Sequence, residues 1–273
     1  MTLLQSIVLG LVQGLTEFIP ISSKTHLIII PALFHWKEPP LAFDVILHGG
    51  TLLAALVYFR RDLLEILEGI DRPGPARKVL LLLAIGAIPA GIAGALLESR
   101  LSVLYRRPAL AAALLVITGS ILAITETYFR RHPHSESIED TTFTNIEKIS
   151  AEVTPGKAAF IGAAQIFALS PGISRAGTTI GAGLLARLSR AQAARFSFLI
   201  SIPLIAGATL AEIPKLGQAH LGTAVILAGL VSSFVAGYVA IAGMIGYLQR
   251  RGLYPFAAYC FVVGPIVAFA LAR

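Results

Sequence analysis

The stretch from Gln13 to His26, QGLTEFIPISSKTH, gathers an amide, a carboxylate, four hydroxyls, an ammonium and an imidazole. Gln13 and Glu17 are four apart, so on a helix they share one face. Pro20 ends that helix. Ser22 or Ser23 then caps a second one, whose free N–H groups and positive dipole end point into the same space. Much later, Ser170 to Thr179 reads SPGISRAGTT. This second tip repeats the device: a turn at Pro171 and Gly172, then Ser174 and Arg175 before a helix start, with Thr178 and Thr179 in its first turn. Two helix N-termini, a glycine turn, a guanidinium and several hydroxyls describe an anion site suited to phosphate. Glu17 and His26 add what passive anion holding has no use for. A carboxylate repels phosphate unless it orients a base, binds a cation or handles protons. The chemistry these residues could perform together is phosphoryl transfer.

The elements that must position them belong to a chain built for lipid. Of its 273 residues 56% are hydrophobic and 14% charged, with mean hydropathy +0.78; a soluble domain carries about 25% charge. Stretches near 41–59, 79–97, 108–128, 196–213, 221–248 and 253–272 are long enough to cross a hydrocarbon core, which takes roughly 20 helical residues. The expectation is an all-α polytopic membrane protein. An outer-membrane barrel would show alternating segments of about 10 residues instead. The first cation is Lys24, so the apolar start lacks the positive region of a signal peptide. The net charge of +7 sits at span ends, as topology signals do, which excludes a nucleic-acid partner. Cys260, the single cysteine, lies in an apolar run and reads as a small core residue. Glu126, near the end of a span, reads as interfacial.

Two further segments, 3–34 and 157–186, are interrupted at the two tips. Their limbs are under 18 residues, about 25 Å at most at 1.5 Å per residue, and read as re-entrant helical hairpins. Irregular backbone at membrane depth is tolerated only where it is buried in protein or lines a wet cavity. GLVQGLTEFIPISS and GAAQIFALSPGISR share Gly, then Gln three later, then Pro, Ile and Ser with one gap. Each hairpin is followed by three spans. The chain therefore reads as two repeats, about 1–128 and 157–273, joined by a cytoplasmic linker at about 129–156. Three crossings per half is an odd number, so the repeats have inverted topology, an architecture that brings broken helices together near the bilayer midplane. Fourteen Lys and Arg fall on the linker side and seven on the other. The positive-inside rule puts both termini outside.

Ser and Thr in membrane helices often serve helix packing, and Gln13 and Gln165 could each satisfy backbone groups freed where a helix breaks. Ionisable groups at membrane depth cost roughly 3 kcal/mol or more apiece, so Glu17, His26 and Arg175 are assigned to function. His48, in LHGGT within a span, stays open.

With these residues the sequence resembles the undecaprenyl-diphosphatase family of integral membrane phosphatases linked with bacitracin resistance. The family's E/Q-xxx-E and P-x-S-S-x-x-H stretches read here as QGLTEFIPISSKTH, and its P-G-x-S-R-S-G-x-T as PGISRAGTT. The likeness runs the whole chain, through FDVILHGGT and RFSFLISIPLIAGA. It implies removal of the terminal phosphate of undecaprenyl diphosphate, giving the monophosphate carrier for cell-wall synthesis in the bacterial inner membrane. It places the first motif on Gln13, Glu17, Ser22, Ser23 and His26, and the second on Ser174, Arg175 and Thr179. It also implies a divalent cation, Mg or Ca, with Glu17 as the one well-placed carboxylate, membrane lipids and the polyprenyl diphosphate as partners, and leaves a homodimer open. Lys24-Thr25 stand where the family has Thr-Gly, so Lys24 could supply a second phosphate cation; Ala176 replaces a Ser.

On this reading Arg175, Ser174 and the helix N-termini bind the diphosphate and stabilise charge developing in transfer. Ser23 is the candidate nucleophile with His26, three residues on, as its base, while Glu17 orients His26 or holds the metal. A His26-activated water is the alternative route. A transporter or lipid flippase is the competing class, because inverted repeats with broken helices serve transport too; an acid and a base at one tip favour the enzyme. An anion channel would need a polar stripe along several spans, and none is present.

Overall fold

Each end of the first helix has a local cause. Thr2 and Gln5 form a reciprocal capping box that starts α1 at Leu3. Ile19, preceding Pro20, is held extended and stops it at Phe18. The computed structural model describes residues 1–101, 107–132, 143–216 and 221–272, and its regular structure there is entirely α-helical. After α1 (Leu3–Phe18) come α2 (Ser23–Leu33), α3 (Leu41–Tyr58), α4 (Arg60–Glu68), α5 (Pro75–Leu101), α6 (Pro108–Ala113) and α7 (Leu115–Arg131). The rest are α8 (Asn145–Glu152), α9 (Pro155–Phe167), α10 (Arg175–Leu185), α11 (Arg190–Leu216), α12 (Thr223–Arg250) and α13 (Tyr254–Leu271).

Among the described residues, six segments are long and apolar enough to cross a membrane: Leu41–Tyr58, Pro75–Leu97, Pro108–Arg131, Arg190–Glu212, Thr223–Arg250 and Tyr254–Leu271. All six expected spans are present. Several begin earlier or end later than hydropathy suggests, because helical hydrogen bonding continues through charged flanks such as Arg77 and Lys78. Large apolar side chains turned outward, including Leu96, Leu210 and Ile124, suit a lipid surround. Hydropathy could not reveal α4 and α8, which are short and polar on one side. The start of α8 is nevertheless written in Thr144 and Glu147, a second reciprocal capping box. It lies in the stretch expected to be a linker, whose centre, 133–142, is outside the described residues, as are the terminal Arg273 and the nearby Arg106 of the charge pattern.

Helix α1 packs along α12, and α9 packs along α5. Both approaches are close because small residues let backbones meet. A Cβ on Gly14 would lie 2.5 Å from the Ser233 carbonyl and 2.6 Å from the Ala236 Cβ; one on Gly162 would strike the Gly86 carbonyl. Gly14→Ala is therefore expected to lower the melting temperature in detergent by the cost of overpacking, about 1–3 kcal/mol. Gly74→Ala, with nothing within 4 Å, is the control. Equal melting of the two variants would refute the close approach. Above these contacts Phe18 meets Phe198 of α11 edge-on, centroids 5.3 Å apart, joining α1 to the main core.

One end of the bundle is sewn with charge. Glu126, near the end of its span, is fully buried within the protein: Arg130 and Arg190 reach it at 2.7 and 2.6 Å and the Leu253 N–H donates to it at 3.2 Å. These bonds tie the end of α7 to the starts of α11 and α13. Asp62 of α4 pairs with Arg195 of α11 at 2.7 Å, and Lys78 of α5 donates to the Ser150 carbonyl of α8 at 2.7 Å.

Candidate active site

The two tips meet. The Gly172 N–H donates to the Thr25 hydroxyl at 2.8 Å, and Thr25 is itself 3.1 Å from the Ser22 hydroxyl. Gly172 sits at φ 85°, a left-handed conformation natural to glycine, and a Cβ there would strike Leu114, the break between α6 and α7. Thr118 of α7 holds the turn by donating to the Gly172 carbonyl at 2.6 Å and accepting from the Ser174 N–H at 2.9 Å. Ser174 caps α10 by accepting from the Gly177 N–H.

Glu17 is the centre of the junction. It is 7% exposed, and a buried carboxylate must be paired and hydrogen-bonded to persist. Arg175 Nη2 reaches Oε1 at 2.5 Å from the other tip. On Oε2, Gln13 Nε2 donates at 3.0 Å and the Ser23 hydroxyl at 2.6 Å. His48 Nε2 lies 4.0 Å from the same oxygen, while its Nδ1 is 2.8 Å from the Asp44 carbonyl. An acid, a hydroxyl and an arginine from three helices thus share one spot.

Ser23 and His26, expected to meet on the face of α2, do not. The Ser23 hydroxyl turns to Glu17. His26 Nδ1 lies 2.8 Å from the Ser22 carbonyl one turn back, and Nε2 is 2.8 Å from the Tyr259 hydroxyl on α13. Each is held by other partners, Ser23 by Glu17 and His26 by the Ser22 carbonyl and Tyr259; Ser22, at φ 71°, is a non-glycine residue in the left-handed region, a strained conformation typical of functional turns. It aims its carbonyl along α2 at the imidazole.

The remaining expected residues divide. Thr178 and Thr179 both donate to the Arg175 carbonyl, at 3.0 and 2.8 Å, and Thr179 is 2.5 Å from the Ser197 hydroxyl; they brace the α10 start that carries Arg175. Gln165 donates to the Gly86 carbonyl at 3.0 Å, serving the turn of α5 that Pro89 disrupts. Lys24 is exposed at the start of α2, within electrostatic reach of Asp44. Sequence reasoning left His48 open and missed Thr118 and Tyr259. A polar residue in an otherwise apolar span was the signal for each.

The oxygens present suit a hard cation. The buried Gln13 Oε1 has no hydrogen-bond partner, and it belongs to the side chain already bonded to Glu17. Among the described residues no three His, Cys, Asp or Glu cluster to hold a metal by themselves.

A family profile described as bacitracin resistance protein BacA matches residues 6–266. The chain is similar to the undecaprenyl-diphosphatase of Pelobacter propionicus, 38% identical over 278 residues covering 98% of this chain and 96% of that protein. It is likewise similar to that of Gemmatimonas aurantiaca, at 37% over 100% and 99%, and to that of Desulfosudis oleivorans, at 40% over 96% of each.

Proposed function

The chain belongs to the bacitracin resistance protein BacA family, and from that premise we infer that it is a membrane phosphatase acting on undecaprenyl diphosphate. It releases inorganic phosphate and returns undecaprenyl phosphate, the lipid carrier of peptidoglycan synthesis, an activity that fits bacitracin resistance. The observation that carries the reading is the junction of Glu17, Ser23 and Arg175, which joins a proton acceptor, a hydroxyl and a phosphate-binding fork.

Arg175 holds Glu17 through Nη2, and a guanidinium has further N–H donors for a phosphate. The N–H groups at the starts of α2 and α10, with Ser174 at the second start, receive the remaining oxygens. Ser23 Oγ attacks the terminal phosphorus, its proton passing to Glu17, and the bond to the bridging oxygen breaks as undecaprenyl phosphate leaves. The hydrolytic half needs a base for water, and His26 is that base. Direct attack by a His26-activated water is the second reading. The pairing of Ser23 with Glu17 rather than with His26 favours the first. A divalent cation, Mg or Ca, would be held by Glu17 and Gln13 Oε1 and largely by the diphosphate, and would neutralise charge on the phosphate oxygens. The direct test is phosphate release from purified protein given polyprenyl diphosphate, with and without chelator. No release under either condition would sink the assignment.

The architecture proposed with this function is two inverted repeats, each a re-entrant hairpin followed by three spans. Two observations support it. Each hairpin packs on the second span of the other half, α1 on α12 and α9 on α5. The glycine of the shared Gly-x-x-Gln also plays one part twice, a close helix approach, with Gly10 against Ser232 and Gly162 against Gly86. The charged end of the bundle is assigned to the cytoplasm, both termini to the outside, and the protein to the bacterial cell membrane. Cys260 is buried, so single reporters are clean. Glu38→Cys is expected to react with an impermeant thiol reagent on intact cells, and Asp71→Cys only after lysis; the reverse pattern would overturn the orientation.

A further inference from the structure

We propose that Tyr259 is a positioning residue that aims the basic nitrogen of His26, a proposal that rests on the reading of His26 as the base of the phosphatase site. His26 is 5% exposed, and both of its ring nitrogens are committed. The Ser22 carbonyl, 2.8 Å from Nδ1, can only accept, so Nδ1 carries the hydrogen. In the neutral ring Nε2 is then the lone-pair nitrogen. The Tyr259 hydroxyl, 2.8 Å away, donates to it. The two rings also stack, with centroids 5.8 Å apart and planes 21° apart.

Little else ties α2 to α13. Tyr259 is 37% exposed on a largely apolar helix, yet its hydroxyl reaches inward to a buried imidazole. The consequence is a division of labour between two proton acceptors. Glu17 faces the Ser23 hydroxyl and Nε2 of His26 faces Tyr259, so the nitrogen able to take a proton from water is presented on the α13 side of the tip. The water to be activated either replaces the Tyr259 hydroxyl at Nε2 or passes its proton through that hydroxyl, Tyr259 giving its own proton to Nε2 as it receives one from water. In both cases the hydroxyl marks where the water must arrive.

Tyr259→Phe keeps the ring stack and removes only the hydroxyl. The test pairs nitrogen spectra of ¹⁵N-histidine-labelled protein with steady-state kinetics on polyprenyl diphosphate. The His26 Nε2 signal is expected to move to that of an unbonded lone pair, with Nδ1 still protonated. The kcat is expected to fall about tenfold, with KM held within about twofold. Unmoved His26 signals would overturn the proposal, as would an unchanged kcat or a rise in KM alone, the signature of a substrate contact. If the wild-type protein released no phosphate, the phosphatase reading would fall, while the nitrogen spectra would still decide whether Tyr259 holds His26. Tyr259→Leu, which removes ring and hydroxyl together, separates packing from the hydrogen bond: a melting temperature lowered only in this variant leaves the kcat loss of Tyr259→Phe to the hydroxyl.

Discussion

Ser23→Ala is expected to leave essentially no turnover, a loss of at least about 10⁴-fold, because it removes the nucleophile of a covalent route. Ser23 is partly buried, and its hydroxyl is bonded to the carboxylate that would accept its proton, at 2.6 Å. If water attacked phosphorus directly, Ser23 would only bind phosphate. Its removal would then cost about one hydrogen bond to a charged group, roughly 1.5–3 kcal/mol or 10–150-fold in rate. The two routes are therefore separated by the residual rate of one variant. A Ser23→Ala protein that keeps a few per cent of wild-type activity would remove the phosphoserine and leave His26 acting on water. On the covalent route, His26→Ala should instead accumulate phosphoenzyme from labelled substrate, because the attack on phosphorus needs Glu17 and only the hydrolysis needs His26.

Arg175→Lys is the second large effect expected, about 10²–10³-fold in kcat/KM, the scale set by removing one preorganised donor to developing charge. Lysine retains the positive charge, so Glu17 is not left buried beside nothing, which would cost about 3–5 kcal/mol and confound the result with misfolding. What lysine cannot reproduce is the planar fork that grips Glu17 through one nitrogen and a phosphate through others. The variant should melt close to wild type and fail at catalysis. Near-normal turnover would take Arg175 out of contact with the substrate. Thr178 and Thr179 donate to the Arg175 carbonyl, so changing either should do less than changing Arg175, through small displacements of the fork.

The spans and the helix breaks were legible in the sequence because each has a local cause. Runs of apolar residues set the six crossings, and Pro20 with the extended Ile19 ends α1. Much of the chemical inventory was legible for the same reason: Glu17, His26 and Arg175 are costly in lipid wherever they sit, and their expense marks them. Three things were not local. Gln165 and Gln13 stand in similar stretches, yet Gln13 bonds to Glu17 one turn on while Gln165 reaches the Gly86 carbonyl of α5, a partner that only packing brings within range. Glu126 read from sequence only as a residue near a span end, and the approach of Arg190 and the Leu253 N–H from distant segments is what buries it.

The pairing of acids, bases and hydroxyls was decided last and only in three dimensions. Spacing three apart on a helix allowed Ser23 to meet His26. Side chains, however, bond to whatever donor or acceptor lies nearest in space, and the fold brings Glu17 to Ser23, Tyr259 to His26 and the Gly172 N–H to Thr25. By itself the sequence determined which ionisable and hydroxyl residues are the candidates for chemistry and where the helices break, since burial cost and backbone geometry are properties of the residue and its neighbours. The tertiary structure decided which of those residues act on one another, because hydrogen bonds of 2.5–2.8 Å between segments as far apart as His26 and Tyr259 depend on helix packing that no local pattern encodes.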